Sequence, residues 1–162
     1  MALIEFENKP STDTPINANN LNHNFEEVNE KDYILTTIDN NMQVATNTKI
    51  LLNTVVSSKG NSFSLDTTNN EIVIGSDVSK VEISANCFVE VRSNYVWLQV
   101  LNGNNMVAST LVNSDYFVST PIPSIIVNVQ ENDRIKLICD SPAGGQIRST
   151  SQYIYLQIKK VK

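Results

Sequence analysis

The chain has 162 residues, 41% hydrophobic and 18% charged, with a formal net charge of −5. That composition supplies a folded core and excludes a disordered chain, and no apolar run approaches the roughly 20 residues that cross a bilayer as a helix. Residues 1–58 hold eight acids against three lysines and the remainder balances nine against nine, so the net charge lies in the first third, and no basic patch is offered to nucleic acid.

The opening decapeptide, MALIEFENKP, has two acids and one lysine and lacks the basic-then-apolar layout of a secretory signal, so synthesis in a cytoplasm without a signal peptide is expected. Residues 1–17 read as an arm held apart from any core. Asn17 can cap a helix, with Pro15 fixing the approach of the chain. Leu21, Phe25 and Val28 then share a helical face. The face continues by sevens through Leu35, Met42 and Lys49, with a companion column at Asn24, Lys31, Ile38, Ala45 and Leu52. These columns predict a coiled-coil seam in a stalk over residues 18–58, of which residues 18–56, if helical throughout, reach about 58 Å at roughly 1.5 Å per residue. "TTIDNNMQVATNT" is a poor helix former, so the thin stripe needs either copies of itself or the chain's own C-terminal part. Self-association is the expectation, with Leu21, Phe25, Val28, Leu35, Ile38, Met42, Ala45 and Leu52 at the interface.

After Val56 the period becomes twofold. Short segments ("FSL", "EIVIG", "KVEISA", "CFVEV", "YVWLQVL", "MVAST", "YFVS", "SIIVNV", "RIKLIC", "YIYLQIKKV") alternate apolar and polar residues between turn signals such as "NGNN" and "ENDR". No helical pattern separates them, which predicts an antiparallel β-sandwich or jelly roll over residues 59–162. Cys87 and Cys139 sit in apolar alternating runs and read as small buried hydrophobes; a disulfide between them is open, and a lone His23 offers no zinc site. Trp97 alternates with Val96 and Leu98 and reads as a packed tryptophan. In the last strand Ile154, Leu156 and Ile158 oppose Tyr153 and Tyr155, whose outward rings suit an interface between copies.

Chemistry is sparse. Glu131, Asp133, Asp140 and Asp115 are acids at turns rather than a recognisable glycosidase pair, no GxSxG occurs, and Gly144 and Gly145 lack the lysine and spacing of a phosphate loop. No enzyme, cofactor or metal is expected. Binding is the better reading, and the loop from Asp140 to Gln152, with Gln146, Arg148 and Gln152, is its candidate.

The stretch "KPSTDTPINANNLNHNFEE", Lys9 to Glu27, resembles the N-terminal signature of tail-fibre, baseplate and receptor-binding proteins from phages and prophages of Gram-positive bacteria. Residues from about Gly60 to Val161 look like jelly-roll heads related to complement-component and tumour-necrosis-factor folds. The resemblance implies a homotrimeric virion appendage: an arm docking other tail or baseplate proteins through Pro10, Thr14, Pro15, Ile16 and Asn17, a three-stranded coiled-coil stalk, and a jelly-roll head meeting a host cell-wall polysaccharide. A non-adhesive head-fibre, decoration or collar protein is the alternative. Neither nucleic acid nor membrane insertion enters either reading.

Overall fold

The computed structural model describes residues 31–91, 94–114, 116–150 and 153–161. The chain separates into two compact units, Met1–Lys31 and Asp32–Lys162, and the strands of the described residues belong to the second. The expected docking residues Pro10, Thr14, Pro15, Ile16 and Asn17 lie outside the described residues, as do Leu21, Phe25, Val28, Asp115 and Gln152.

The helix expected to continue to residue 58 is not what residues 33–59 form. They make four strands: β1 (Tyr33–Thr37), β2 (Met42–Val44), β3 (Thr48–Lys49) and β4 (Thr54–Lys59). A competing twofold period runs through the first of them: Ile34, Thr36 and Ile38 recur every second residue, and none is more than 2% exposed. β-Branched and asparagine-rich sequence gains little from an isolated helix, whereas β1 completes a ladder with the last strand of the chain. The heptad seam therefore does not exist here. Ile38 and Leu52 are in the chain's own core, Met42 packs against it, and Ala45 is exposed in a turn. The sandwich begins at about residue 32, not 59.

Ten further strands follow: β5 (Phe63–Asp66), β6 (Glu71–Ile74), β7 (Lys80–Val91), β8 (Asn94–Asn102), β9 (Asn105–Ser114), β10 (Phe117–Ser119), β11 (Ile122–Asn128), β12 (Arg134–Asp140), β13 (Gly145–Ile147) and β14 (Ile154–Lys160). All pair antiparallel, in two sheets. The larger runs β2-β13-β7-β14-β1-β4, with β10 and β11 on the other edge of β7; the smaller runs β5-β6-β12-β8-β9, with β3 beside β12. This is the expected jelly-roll sandwich. "KVEISA" and "CFVEV", read as separate segments, are one twelve-residue strand that organises the larger sheet.

Alternation decides what lies between the sheets. Val81, Ile83, Ala85, Cys87, Val89 and Val91 of β7 point inward, as do Val96, Leu98 and Val100 of β8 and Ile135, Leu137 and Cys139 of β12, each at most 2% exposed. Burying such a side chain is worth about 1.5–3 kcal/mol, which fixes the register of every long strand. Cys87 and Cys139 are free thiols that approach each other across this interior; burial, with the Cys139 thiol beside it, pushes the Cys87 thiol well up, so it stays protonated. Buried Thr36 and Thr37 donate their hydroxyls to the carbonyls of Leu156 (3.2 Å) and Ile154 (2.7 Å), pinning β1 to β14 from the side as well as through the ladder.

Candidate self-association face

Because Cys87 and Val89 face inward, Phe88 and Glu90 face outward on the larger sheet, together with Glu82, Ser84 and Asn86. β14 contributes Tyr155, Gln157 and Lys159 in register with Asn86, Ser84 and Glu82, and β1 contributes Tyr33 and Leu35. β10 brings Phe117 opposite Glu90 and Ser119 opposite Phe88.

These positions assemble an aromatic cluster at one end of the face. Phe88 stacks on Phe117 with ring centroids 5.6 Å apart and an 18° interplanar angle, meets Tyr153 at 5.0 Å, and Tyr116 sets its ring edge-on to Phe117 at 4.7 Å. Each such pair adds about 0.5–1.5 kcal/mol beyond area burial. The cluster is far from satisfied: Tyr116, Phe117 and Tyr153 remain 62%, 48% and 37% exposed. The backbone holds it in place. Phe88 N–H donates to the Tyr153 carbonyl (2.8 Å), Asn86 Nδ2 donates to the same oxygen (3.2 Å), and Ser119 Oγ donates to Asn86 Oδ1 (3.0 Å).

The middle of the face is uncharged (Ser84, Asn86, Ser119, Gln157), and charge is confined to its ends. At one end Arg148 Nη2 meets Glu90 Oε2 at 2.5 Å; at the other lie Glu82 and Lys159, with Ile126, 67% exposed, opposite Glu82. Two shallow grooves flank the Arg148–Glu90 pair. One of about 510 Å³ is walled by Phe88, Phe117, Tyr153, Arg148 and Asn41; one of about 460 Å³ by Gln43, Glu90, Tyr116 and Gln146.

The residues singled out in the sequence divide between this face and elsewhere. Tyr153 and Tyr155 do share an outward face, joined there by Leu35. Gln146 and Arg148, expected on a free loop as ligand contacts, instead lie at the edge of that face: Gln146 is on β13 between Gln43 and Glu90, and Arg148 is engaged by Glu90. Phe88, Phe117 and Tyr116 are not expected from the sequence reading, although an inward Cys87 already places Phe88 outward. Of the acids weighed for catalysis, Asp133 accepts from Asn102 Nδ2 (2.6 Å) and Gln130 N (2.9 Å) in its turn, and Asp140 Oδ1 accepts from Asn47 N (3.2 Å). Among the described residues there is no cluster of three or more His, Cys, Asp or Glu suited to a metal.

No family profile and no curated protein matches the sequence. Solved structures do match in fold. Murine APRIL at pH 5.0 superposes with a TM-score of 0.68 at 9% identity, over 81% of this chain and 99% of that one. The Eiger TNF of S. frugiperda superposes with a TM-score of 0.64 at 8% identity, over 82% and 92%. The fold is thus a tumour-necrosis-factor-like jelly roll.

Proposed function

We propose that the chain is a homotrimeric structural protein of a phage or prophage tail fibre or baseplate, whose jelly-roll head meets a glycan on the surface of a Gram-positive host. The observation that carries the self-association is the aromatic cluster on the larger sheet. Stacked rings left about half exposed, beside an uncharged strip with charges only at its ends, form the kind of patch that a lone soluble domain rarely shows and that a copy of itself covers. Three-fold closure is taken from the likeness to trimeric jelly-roll heads. It brings Phe88, Phe117 and Tyr153 of each copy toward a common axis. The appendage assignment rests on the Lys9–Glu27 phrase, and the adhesive role follows from it. Nothing in the reading calls for catalysis, a cofactor or a metal.

The test is the mass in solution. Sedimentation equilibrium at micromolar concentration is expected to give three chain masses, and Phe88→Glu, which leaves the inward face of β7 untouched, is expected to give one mass with an unchanged β-sheet circular dichroism spectrum. A wild-type monomer sinks the self-association. Removing residues 1–20 is expected to leave a folded oligomer that no longer enters virions; undiminished incorporation would sink the docking arm.

A further inference from the structure

The smaller sheet shows solvent a different surface. With Val96, Leu98 and Val100 inward, β8 turns Tyr95, Trp97, Gln99 and Leu101 outward. Trp97, which reads from its neighbours as a packed tryptophan, therefore belongs to the outward face. It lies half-buried in register with Leu111 of β9 on one side and Asp140 of β12 on the other. Gln99 lies between Ser109 and Ile138, and Tyr95 is opposite Asn113.

Gln99 is the informative residue. It is nine-tenths buried, yet among the described residues no group bonds its side-chain amide, and no fully enclosed side-chain nitrogen or oxygen is left unpaired. Its amide atoms therefore reach the outer surface, without a protein partner. The Trp97 indole N–H, also without a partner, is in the same position two residues earlier on the same face. An amide this deep in a sheet face keeps little room for water and has no internal bond, which costs free energy. A ligand offering both a donor and an acceptor recovers that cost.

We infer that the outward row Tyr95, Trp97 and Gln99, with Asp140 and Ser109 beside it, is a binding platform for a neutral glycan. A pyranose ring has an apolar C–H face and a rim of hydroxyls that both donate and accept. The platform mirrors this, with aromatic faces next to an indole donor, an amide offering both functions, and a carboxylate with only one oxygen engaged, by Asn47. The row from Tyr95 to Gln99 spans about 13 Å at ~3.3 Å per residue, the length of roughly two to three sugar rings. Charge selects neutral sugar over a polyanion. Asp140 is the one charged residue beside Trp97 and Gln99 in the register, and the cations further along the sheet are engaged: Lys49, Lys136 and Arg134 by Glu71, and Arg134 also by Asp66. The inference rests on the adhesive half of the proposed function and places adhesion on the sheet opposite the self-association face.

Trp97 is the only tryptophan of the chain, so intrinsic emission reports on this platform alone. The full chain is titrated with neutral oligosaccharides (glucan, galactan and chitin fragments) and with a glycerol-phosphate polymer, and in parallel its binding to a panel of Gram-positive cell walls is measured. A saturable change in emission with a neutral fragment and none with the polymer is expected. Gln99→Ala is expected to weaken binding about tenfold, equivalent to ~1.4 kcal/mol, and Trp97→Ala to abolish wall binding, both with unchanged mass in solution. Walls bound equally well by Trp97→Ala, or an emission response to the polymer alone, would overturn the platform and leave adhesion standing. Failure to bind any wall would overturn adhesion and the platform together.

Discussion

Asn47, Asn70 and Asn132 take φ of 52°, 54° and 67°, the left-handed region that asparagine tolerates better than other residues with a side chain. Part of the asparagine load is thus turn chemistry. Glycine fills other left-handed positions, two of them in contrasting surroundings. Gly103, at φ 58°, is the first central residue of the two-residue β8–β9 hairpin, and a Cβ there would meet nothing within 4 Å. Gly60, at φ 73°, is crowded: a Cβ would fall 2.0 Å from the Asp32 carboxyl, which is held by the Ser62 N–H (3.2 Å) and Oγ (2.6 Å). Alanine at either site incurs the left-handed strain of about 1–2 kcal/mol. At Gly60 it must also expel Asp32 from its hydrogen bonds. Urea unfolding is therefore expected to show Gly60→Ala destabilised by about 1 kcal/mol or more beyond Gly103→Ala; equal losses would mean that the Asp32 contact is worth nothing.

Among the elements, β1 decides how the chain can be cut. It pairs with β14 from Tyr33↔Lys159 to Thr36↔Leu156, and with β4 on its other edge. A truncation lacking residues 1–58, which a stalk-and-head division would judge harmless, removes β1, β2 and all but the last residue of β4 from the larger sheet and β3 from the smaller, together with Ile34, Ile38, Val44, Ile50 and Leu52 from the core. It is expected to be insoluble or to lack a cooperative thermal transition, whereas a chain starting at Asp32 should retain one. The same strands mark where sequence reading runs out. From Phe63 onward the alternation is legible because each strand has one wet face and one dry face. Before Val56 the strands are short and broken by turns, and residues spaced by seven fit a helical seam as well as the twofold pattern fits β1. The three-residue β13 is too short to carry a period and reads as loop. Interface residues follow the same rule. Tyr153 and Tyr155 are legible from one strand, but Phe88 and Phe117 become their neighbours only through the pairing of β10 and β14 with β7, and Trp97 requires knowing that both its flanks are fully buried.

Across the whole molecule, two carboxylate networks tie distant segments together and set the response to acid. Ser62 Oγ contacts Asp32 (2.6 Å) and Asp77 (2.7 Å), and Lys160 reaches Asp77, so the turn after β4, the loop before β7 and the end of β14 converge. On the smaller sheet, nearly buried Glu71 gathers Lys49 (2.8 Å), Arg134 (3.3 Å) and Lys136 (3.8 Å), and Arg134 also holds Asp66 (2.7 Å). The Ser62 hydroxyl lowers Asp32, Lys160 lowers Asp77, and Asn69 with Arg134 lowers Asp66. Burial opposes ionisation of Glu71, but Lys49, Arg134 and Lys136 together prevail and lower it too. All four carboxyls thus bind protons more weakly folded than unfolded. Their stabilisation is complete above the unfolded values of about 4 and is lost as pH falls through the lower folded ones. The melting temperature is therefore expected to be level from pH 7 to about 5 and to fall steeply below about 4. Glu71→Gln leaves Lys49 and Lys136 beside a neutral amide and Arg134 with Asp66 alone, so it should cost about 1–3 kcal/mol at neutral pH and flatten the acid limb, because one proton-linked group has gone. An acid limb as steep in Glu71→Gln as in the parent would show that Glu71 is not among the groups whose protonation unfolds the sandwich.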